Sequence, residues 1–139
     1  MSKENSRIIV RATLSGSFHK DPEGLDRLYR ELVNNQCQVL SPRSISFEDS
    51  KVLFVKHTVE KDDSVGVIQR HHLQAISLSD FLWLHAPDGY IGTSTAMEIG
   101  YAFHNGTPIF SVDVPHDEML KHFVIKVPSV FAAIELLRI

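Results

Sequence analysis

Two hydrophobic patterns alternate along this chain. Short runs of consecutive apolar and β-branched residues, typical of strands, are separated by longer segments whose apolar residues recur every three or four positions, as in helices. The predicted strands are residues 7–14, 36–41, 80–86, 108–112 and 122–127. The predicted helices are residues 21–35, 64–78, 95–105 and 128–138, with a short further helix at 117–121. Strands that alternate with helices predict an α/β protein with a five-stranded parallel sheet and helices on both faces.

Residues 43–63 give the weakest pattern. Within them, residues 51–59 have strand propensity, but the charged residues nearby favour an excursion over the surface. No repeat, low-complexity stretch or linker divides the 139 residues. We therefore expect one domain that spans residues 1–139.

Composition argues against several classes of protein. The chain has 14 Lys and Arg against 17 Asp and Glu, a net charge of −3, whereas nucleic-acid binders are usually basic. Cys37 is the one cysteine, so an internal disulfide or a Cys-based zinc site is not expected. The first six residues are polar, unlike a signal peptide, and no apolar run approaches the about 20 residues of a membrane span. We expect a cytoplasmic protein that binds neither nucleic acid nor membrane.

Ligands of parallel sheets lie beyond the carboxyl ends of the strands, here residues 15–20, 86–98 and 111–115. The second of these segments opens a helix, whose first N–H groups can hold an anion or a sugar hydroxyl. Thr93, Ser94 and Thr95 add side-chain hydroxyls at that point. Glu98 has two interpretations. It is either the carboxylate of a T-x-x-E capping box with Thr95, or a nucleophile or electrostatic stabiliser at the edge of the sheet.

The histidines give no metal-ligand set. His71 and His72 are adjacent on a predicted helix and point about 100° apart, so they cannot bind one metal together. We expect His72 to pack in the core and His71 to face solvent. His19 and Lys20 follow the first loop, where they are either contacts to an anionic ligand or exposed polar residues.

Several other residues have open interpretations. Phe18 and Tyr90 lie in loops, where they either stack on a base or cover the core. Gly100 and Ala102 keep their helix slim, which predicts close packing on the sheet. Asp80 begins a strand, and a residue there lies at the amino end of the sheet as a cap or loop residue.

Three segments carry a family resemblance: Ser79-Asp80, Asp88-Gly89-Tyr90, and the run MEIGYA at 97–102. Together with the opening loop LSGSF at 14–18, they resemble the nucleoside 2-deoxyribosyltransferase superfamily, which includes the deoxyribonucleoside 5′-monophosphate N-glycosidases. The resemblance covers nearly the whole chain in the order of elements and is specific over residues 80–108. It implies a flavodoxin-like (Rossmann-like) three-layer fold and cleavage of the bond between a base and C1′ of a sugar. No cofactor is expected.

The resemblance also implies roles for individual residues. Glu98 would attack C1′ and form a glycosyl-enzyme ester, and Asp80 would contact the base or the leaving group. Breaking an N-glycosidic bond builds positive charge on the sugar, which a carboxylate stabilises or traps, while a second acid protonates the base. The residues expected to bind the substrate are Gly16, Ser17, Phe18, His19, Asp88, Tyr90, Gly92, Thr93, Ser94 and Thr95.

Two positions depart from the family pattern. Thr13 stands where the family has a tyrosine that assists the catalytic Glu, and Gly92 stands where the transferases have an acid that binds the sugar 3′-hydroxyl. The loss of that acid favours hydrolysis over transfer.

Three classes of function follow from these patterns. The preferred one is an N-glycosidase or N-(deoxy)ribosyltransferase that acts through Glu98 on a small nucleoside or nucleotide. The alternatives are a nucleotide-binding or sensing module without turnover on the same fold, and a domain that only binds a partner. The closing segment 128–138 is apolar on more than one face, which predicts a homodimer or a higher homo-oligomer.

Overall fold

Five short strands form one parallel sheet. The computed structural model describes residues 9–17, 19–42 and 64–138, so Phe18 and the segment 51–59 lie outside the described residues. The described strands are β1 (Arg11–Ser15), β2 (Gln38–Ser41), β3 (Phe81–Leu84), β4 (Ile109–Ser111) and β5 (Ile125–Lys126). Their order is β2-β1-β3-β4-β5, and every neighbouring pair is parallel. This is the flavodoxin-like strand order, and the predicted α/β fold class is confirmed.

The helices lie on both faces of this sheet. Those in the described residues are α1 (Pro22–Asn34), α2 (Val65–Leu78), α3 (Thr93–Asn105) and α4 (Val130–Leu137), with 3₁₀ turns at Pro87–Gly89 and Leu120–Phe123. Helices α1 and α4 contribute to the core on one face of the sheet, and α2 and α3 contribute to the core on the other. In the described part of the chain, no helix combines the length and the apolar character that crossing a membrane requires.

Strand β3 shows why the functional site lies at an end of the sheet. All four of its residues are buried, with Phe81 and Trp83 in the core beside α1 and α4, and Leu82 and Leu84 in the core beside α2 and α3. The rings of Phe81 and Phe110 meet edge to face at 5.7 Å. Because helices cover both faces of the central strand, a ligand can reach it only at its ends.

Backbone caps move several predicted boundaries. Helix α1 is closed by Cys37, whose N–H donates to the carbonyl of Leu32, and by Gln36 in a left-handed conformation at φ 61°, so β2 starts at Gln38 rather than 36. Helix α4 starts at Val130 rather than 128, because the hydroxyl of Ser129 caps it by accepting from the backbone of Ala132.

Helix α3 starts two residues earlier than predicted, with Gly92 as its N-cap. Thr95 is therefore the third residue of the helix and Glu98 the sixth, so the two do not form the capping box that their spacing allowed. Ala102 is buried, as expected for close packing. The expectation for Gly100 was wrong, because this residue is exposed and a Cβ there would meet nothing within 4 Å.

The carboxyl-terminal third has less regular structure than predicted. The predicted helix at 117–121 is instead a 3₁₀ turn at Leu120–Phe123, and the strand that follows it has two residues. Phe131 and Leu136 of α4 remain exposed at 62% and 45%. These side chains are the apolar surface on which the expected homo-oligomer depends, and that expectation stays a prediction.

Candidate functional site

Successive strands are added on one side of β1 and then on the other. From β1 the chain continues outward to β2 and then returns to β3 on the other side, so their carboxyl ends border a topological switch point. The two ends are joined there, because the backbone N–H of His85 donates to the carbonyl of Ser15 at 2.7 Å. Gly16 follows directly, and a Cβ on it would lie 2.8 Å from both Cβ and the carbonyl oxygen of His85. The close approach of the two loops thus requires glycine at position 16.

Glu98 lies buried at this edge. Its side chain is 7% exposed and points from the second turn of α3 toward α2, which packs against α3. Gln69 Nε2 donates to Glu98 Oε2 at 2.8 Å, and His72 Nε2 lies 3.5 Å from Glu98 Oε1. Gln69 and His72 are three residues apart on α2 and therefore share one face of the helix.

His72 joins Glu98 to both neighbouring strands. Its Nε2 is 3.1 Å from the hydroxyl of Ser15 in β1, and its Nδ1 is 2.6 Å from the hydroxyl of Ser41 at the end of β2. The histidine is buried, as the packing interpretation of the sequence predicted. That interpretation missed its polar contacts, which place it in the candidate site.

The surroundings of Glu98 keep it ionised. Burial by itself would raise the pKa of this carboxyl, but the charge and hydrogen bond of His72 and the hydrogen bonds from Gln69 and Ser15 outweigh it. The net effect is a pKa below the ordinary value of 4.5. The site therefore holds a desolvated carboxylate anion at the edge where ligands of this fold bind.

A second histidine–carboxylate pair, partly exposed, lies on the opposite face of the sheet. His85 Nε2 is 2.8 Å from Oδ2 of Asp21, whose other carboxylate oxygen accepts from the backbone of Gly24 and caps α1. The hydrogen bond from His85 is the main reason that the pKa of Asp21 lies below its ordinary value of 3.8. Gly24 leaves room for this pair, because a Cβ there would collide with Asp21 and His85.

An open groove of about 750 Å³ begins at the N-terminus of α3. Gly92 caps this helix without a side-chain hydrogen bond, so the first N–H groups of α3 have no side-chain acceptor there. Lys20 reaches across from the β1–α1 loop and lies 4.9 Å from the centre of the Tyr90 ring. The groove is lined by Lys20, Pro87, Asp88, Gly89, Tyr90, Ile91, Gly92, Thr93, Ala96, His116, Asp117 and Leu120.

Four of the predicted substrate-binding residues line this groove: Asp88, Tyr90, Gly92 and Thr93. The other predicted residues that the structure describes lie outside its lining: Gly16, Ser17, His19, Ser94 and Thr95. Thr95 lies in the first turn of α3 with its side chain buried, whereas His19 is exposed. Glu98 does not line the groove either, and its oxygens face α2.

Asp80 is not brought to Glu98. Its carboxylate accepts from the backbone N–H of Arg11 at 2.8 Å, at the amino end of β1 and β3. Glu98 lies at the carboxyl end of the sheet, and the four residues of β3 that separate the two ends span about 13 Å. Asp80 thus lies at the amino end of the sheet, as its position at the start of the predicted strand indicated. From there it does not reach Glu98, so the position does not support the contact with the base or the leaving group that the family resemblance implied.

Neither departure from the family pattern leaves Glu98 without a partner. Thr13 is buried, and its hydroxyl pairs with that of Ser79 at 2.8 Å, nearer the amino end of β1. Gly92, the other departure, is the N-cap of α3 and lines the groove. The side chain that lies beside Glu98 is instead His72, which the spacing of apolar residues on its helix assigned to the core.

The described residues contain no group of three His, Cys, Asp or Glu side chains that could hold a metal ion. Fold and site together define a parallel α/β protein of flavodoxin-like strand order with a buried, ionised glutamate at its switch point. No protein-family model matches the chain, and a search of curated proteins finds none that matches it.

Proposed function

We propose that this protein hydrolyses the N-glycosidic bond of a nucleoside or nucleotide, with Glu98 as the nucleophile. The observation that carries the proposal is the ionised Glu98 carboxylate, which is desolvated and lies at the carboxyl edge of the sheet. Such a carboxylate stabilises the positive charge that develops on the sugar far better than a hydrated one. The resemblance of the MEIGYA run to the nucleoside 2-deoxyribosyltransferase superfamily supports the same role.

The reaction proceeds in two steps. A carboxylate oxygen of Glu98 bonds to C1′ while the C1′–N bond breaks, and the base leaves with the electron pair of that bond and takes a proton. Water then attacks C1′, its hydroxyl joins the sugar, the ester electrons return to Glu98, and the second proton of the water passes to solvent. Solvent water supplies the proton for the base and regains one when water attacks C1′, since Asp80 lies at the other end of β3.

The groove at α3 is the proposed binding surface. The exposed ring of Tyr90 offers a face for a base, and the first N–H groups of α3 with the hydroxyl of Thr93 offer donors to a sugar or phosphate. Charged and polar side chains line it, among them Lys20, Asp88, His116 and Asp117.

A nucleotide-binding module without turnover is the second candidate. The observation that favours it is that Glu98 lies outside the lining of the groove and already has partners in Gln69 and His72. In that case Glu98 serves as an internal counter-ion of His72, and the ligand binds in the groove without reacting.

Release of free base from nucleosides, deoxynucleosides and their 5′-monophosphates separates the two functions. We expect wild type and the exposed control Glu135→Gln to release base from at least one compound. We expect Glu98→Gln to be slower by about 10³-fold, the effect of removing a group that stabilises charge in the transition state. If no compound releases base, and a nucleotide raises the melting temperature of wild type and Glu98→Gln alike, the protein is a binding module.

A further inference from the structure

Three side chains from three elements form a chain that ends on Glu98. Ser41 lies at the end of β2, His72 lies on α2, and Glu98 lies on α3. We propose that Ser41 and His72 are a positioning pair that fixes the orientation of the Glu98 carboxylate for attack. The inference rests on the proposed function of Glu98, but its first test needs no turnover.

The geometry holds the imidazole from both sides. The hydroxyl of Ser41 is 2.6 Å from Nδ1, and the hydroxyl of Ser15 is 3.1 Å from Nε2. A ring that has a hydrogen-bond partner at each nitrogen loses one or both of these bonds when it rotates. Because His72 is buried, water does not compete for the same nitrogens. These contacts favour the ring orientation in which Nε2 faces Glu98.

The chemistry of the contacts assigns the proton. Nε2 faces the Glu98 carboxylate at 3.5 Å, and a bare lone pair there would repel the anion, so Nε2 carries a proton. In the neutral imidazole, Nδ1 then accepts from the hydroxyl of Ser41, and when the ring is protonated and charged, Nδ1–H donates to the Ser41 oxygen, so the contact holds the ring in either state. In this arrangement Ser41 selects the tautomer of His72, and His72 directs its N–H toward Glu98 and Ser15.

Within residues 9–17, 19–42 and 64–138, the groups that face Glu98 come from two elements. Helix α2 contributes His72 and Gln69, and β1 contributes Ser15; β2 acts through Ser41 on His72. Among these, His72 is the titratable one. Gln69 fixes Oε2 and His72 lies beside Oε1, so loss of His72 frees one side of the carboxylate and removes the charge next to it.

Carbon-13 titration of the Glu98 carboxyl, assigned by its absence in Glu98→Gln, tests the pair directly. We expect the titration midpoint to move to higher pH in His72→Leu and to stay at the wild-type value in His71→Leu, which changes the exposed neighbour on the same helix. Ser41→Ala should move it in the same direction by less. An unchanged midpoint in His72→Leu would overturn the inference. If that variant does not fold, His72→Gln, which keeps an N–H donor and loses the charge, gives the same comparison.

Base release by the same variants separates this inference from the proposed function. We expect kcat of His72→Leu to fall by about 10²-fold, as a misplaced reacting group does, with the acidic limb of its pH profile at higher pH. His72→Gln should recover part of the loss, and His71→Leu should match wild type. Base release by wild type with an equal kcat in His72→Leu contradicts the positioning role. No base release by wild type contradicts the proposed function, while the carboxyl titration still decides whether His72 controls Glu98.

Discussion

Nε2 of His72 lies 3.5 Å from Oε1 of Glu98, and the two side chains are 10% and 7% exposed. This pair joins α2 to α3 at the carboxyl edge of the sheet, and through Ser15 and Ser41 it also joins both helices to β1 and β2. A buried carboxylate with a specific charged or polar partner is common at functional sites, where its protonation state is set by its neighbours. The same pair makes the stability of the fold depend on pH.

The lowered pKa of Glu98 predicts a loss of stability in acid. A carboxyl whose folded-state pKa lies below its ordinary value, here 4.5, stabilises the fold above that value. The contribution is lost as the pH falls through the lower folded-state pKa. We expect the free energy of unfolding of wild type, measured by urea at a series of pH values, to fall more steeply below pH 4.5 than that of Glu98→Gln. Parallel curves for the two proteins would contradict the assignment of an ionised Glu98.

Asp80→Asn should separate a structural role from a catalytic one. The side chain of Asp80 accepts from the backbone of Arg11, and the amide oxygen of asparagine can still accept, so loss of the charge alone should lower stability by less than about 1 kcal/mol. Base release at a temperature where both proteins are folded should be unchanged. A variant that keeps its melting temperature and loses base release would restore the role that the family resemblance implied for Asp80.

Two glycines should respond to alanine in opposite directions. Gly89 has φ +78°, and a Cβ there would collide with the ring of His116, so Gly89→Ala should destabilise the fold by about 1–3 kcal/mol. Gly100 is helical and exposed with open space around it, so Gly100→Ala should stabilise the fold by about 0.5–1 kcal/mol. Urea unfolding of the two variants measures both effects. Equal shifts in the same direction would contradict the strained conformation of Gly89 or the open surroundings of Gly100.

Asp21 has two tasks that two substitutions can separate. Asp21→Ala loses both the cap of α1 and the contact with His85, whereas Asp21→Asn keeps an oxygen for the backbone of Gly24. We expect a loss of about 1 kcal/mol for the alanine variant at neutral pH and a smaller loss for asparagine. Because the pKa of Asp21 is lowered, the gap between wild type and Asp21→Asn should close as the pH falls below 3.8. A constant gap across that range would show that the charge of Asp21 is not involved.

Hydrophobic spacing was sufficient to predict the layers of the fold. The apolar run in residues 80–86 predicted a buried strand, and the structure forms the strand at Phe81–Leu84 and buries all four residues. Boundaries were harder, because they depend on caps such as Gly92 and Ser129, whose backbone conformations do not follow from residue type alone.

The candidate site was predictable only in part. Glu98 was a candidate because it lies near the predicted start of a helix that follows a buried strand. The carboxyl ends of parallel strands share one edge of the sheet, where ligands bind. His72 was not predicted to be a site residue. A histidine on the apolar face of a helix has the same spacing whether it only packs in the core or also contacts a functional carboxylate. Its contacts with Ser15 and Ser41 depend on the register of β1 and β2, in which Thr13 pairs with Ser41, and one sequence does not carry that register.

The most direct measurement of the central claim is the mass of the peptide that contains Glu98 after acid quench during base release. If Glu98 is the nucleophile, this peptide gains the mass of the glycosyl group, and the same peptide from Glu98→Gln gains nothing. Free base released at the wild-type rate, with no added mass on the peptide at any quench time, would contradict a covalent role for Glu98.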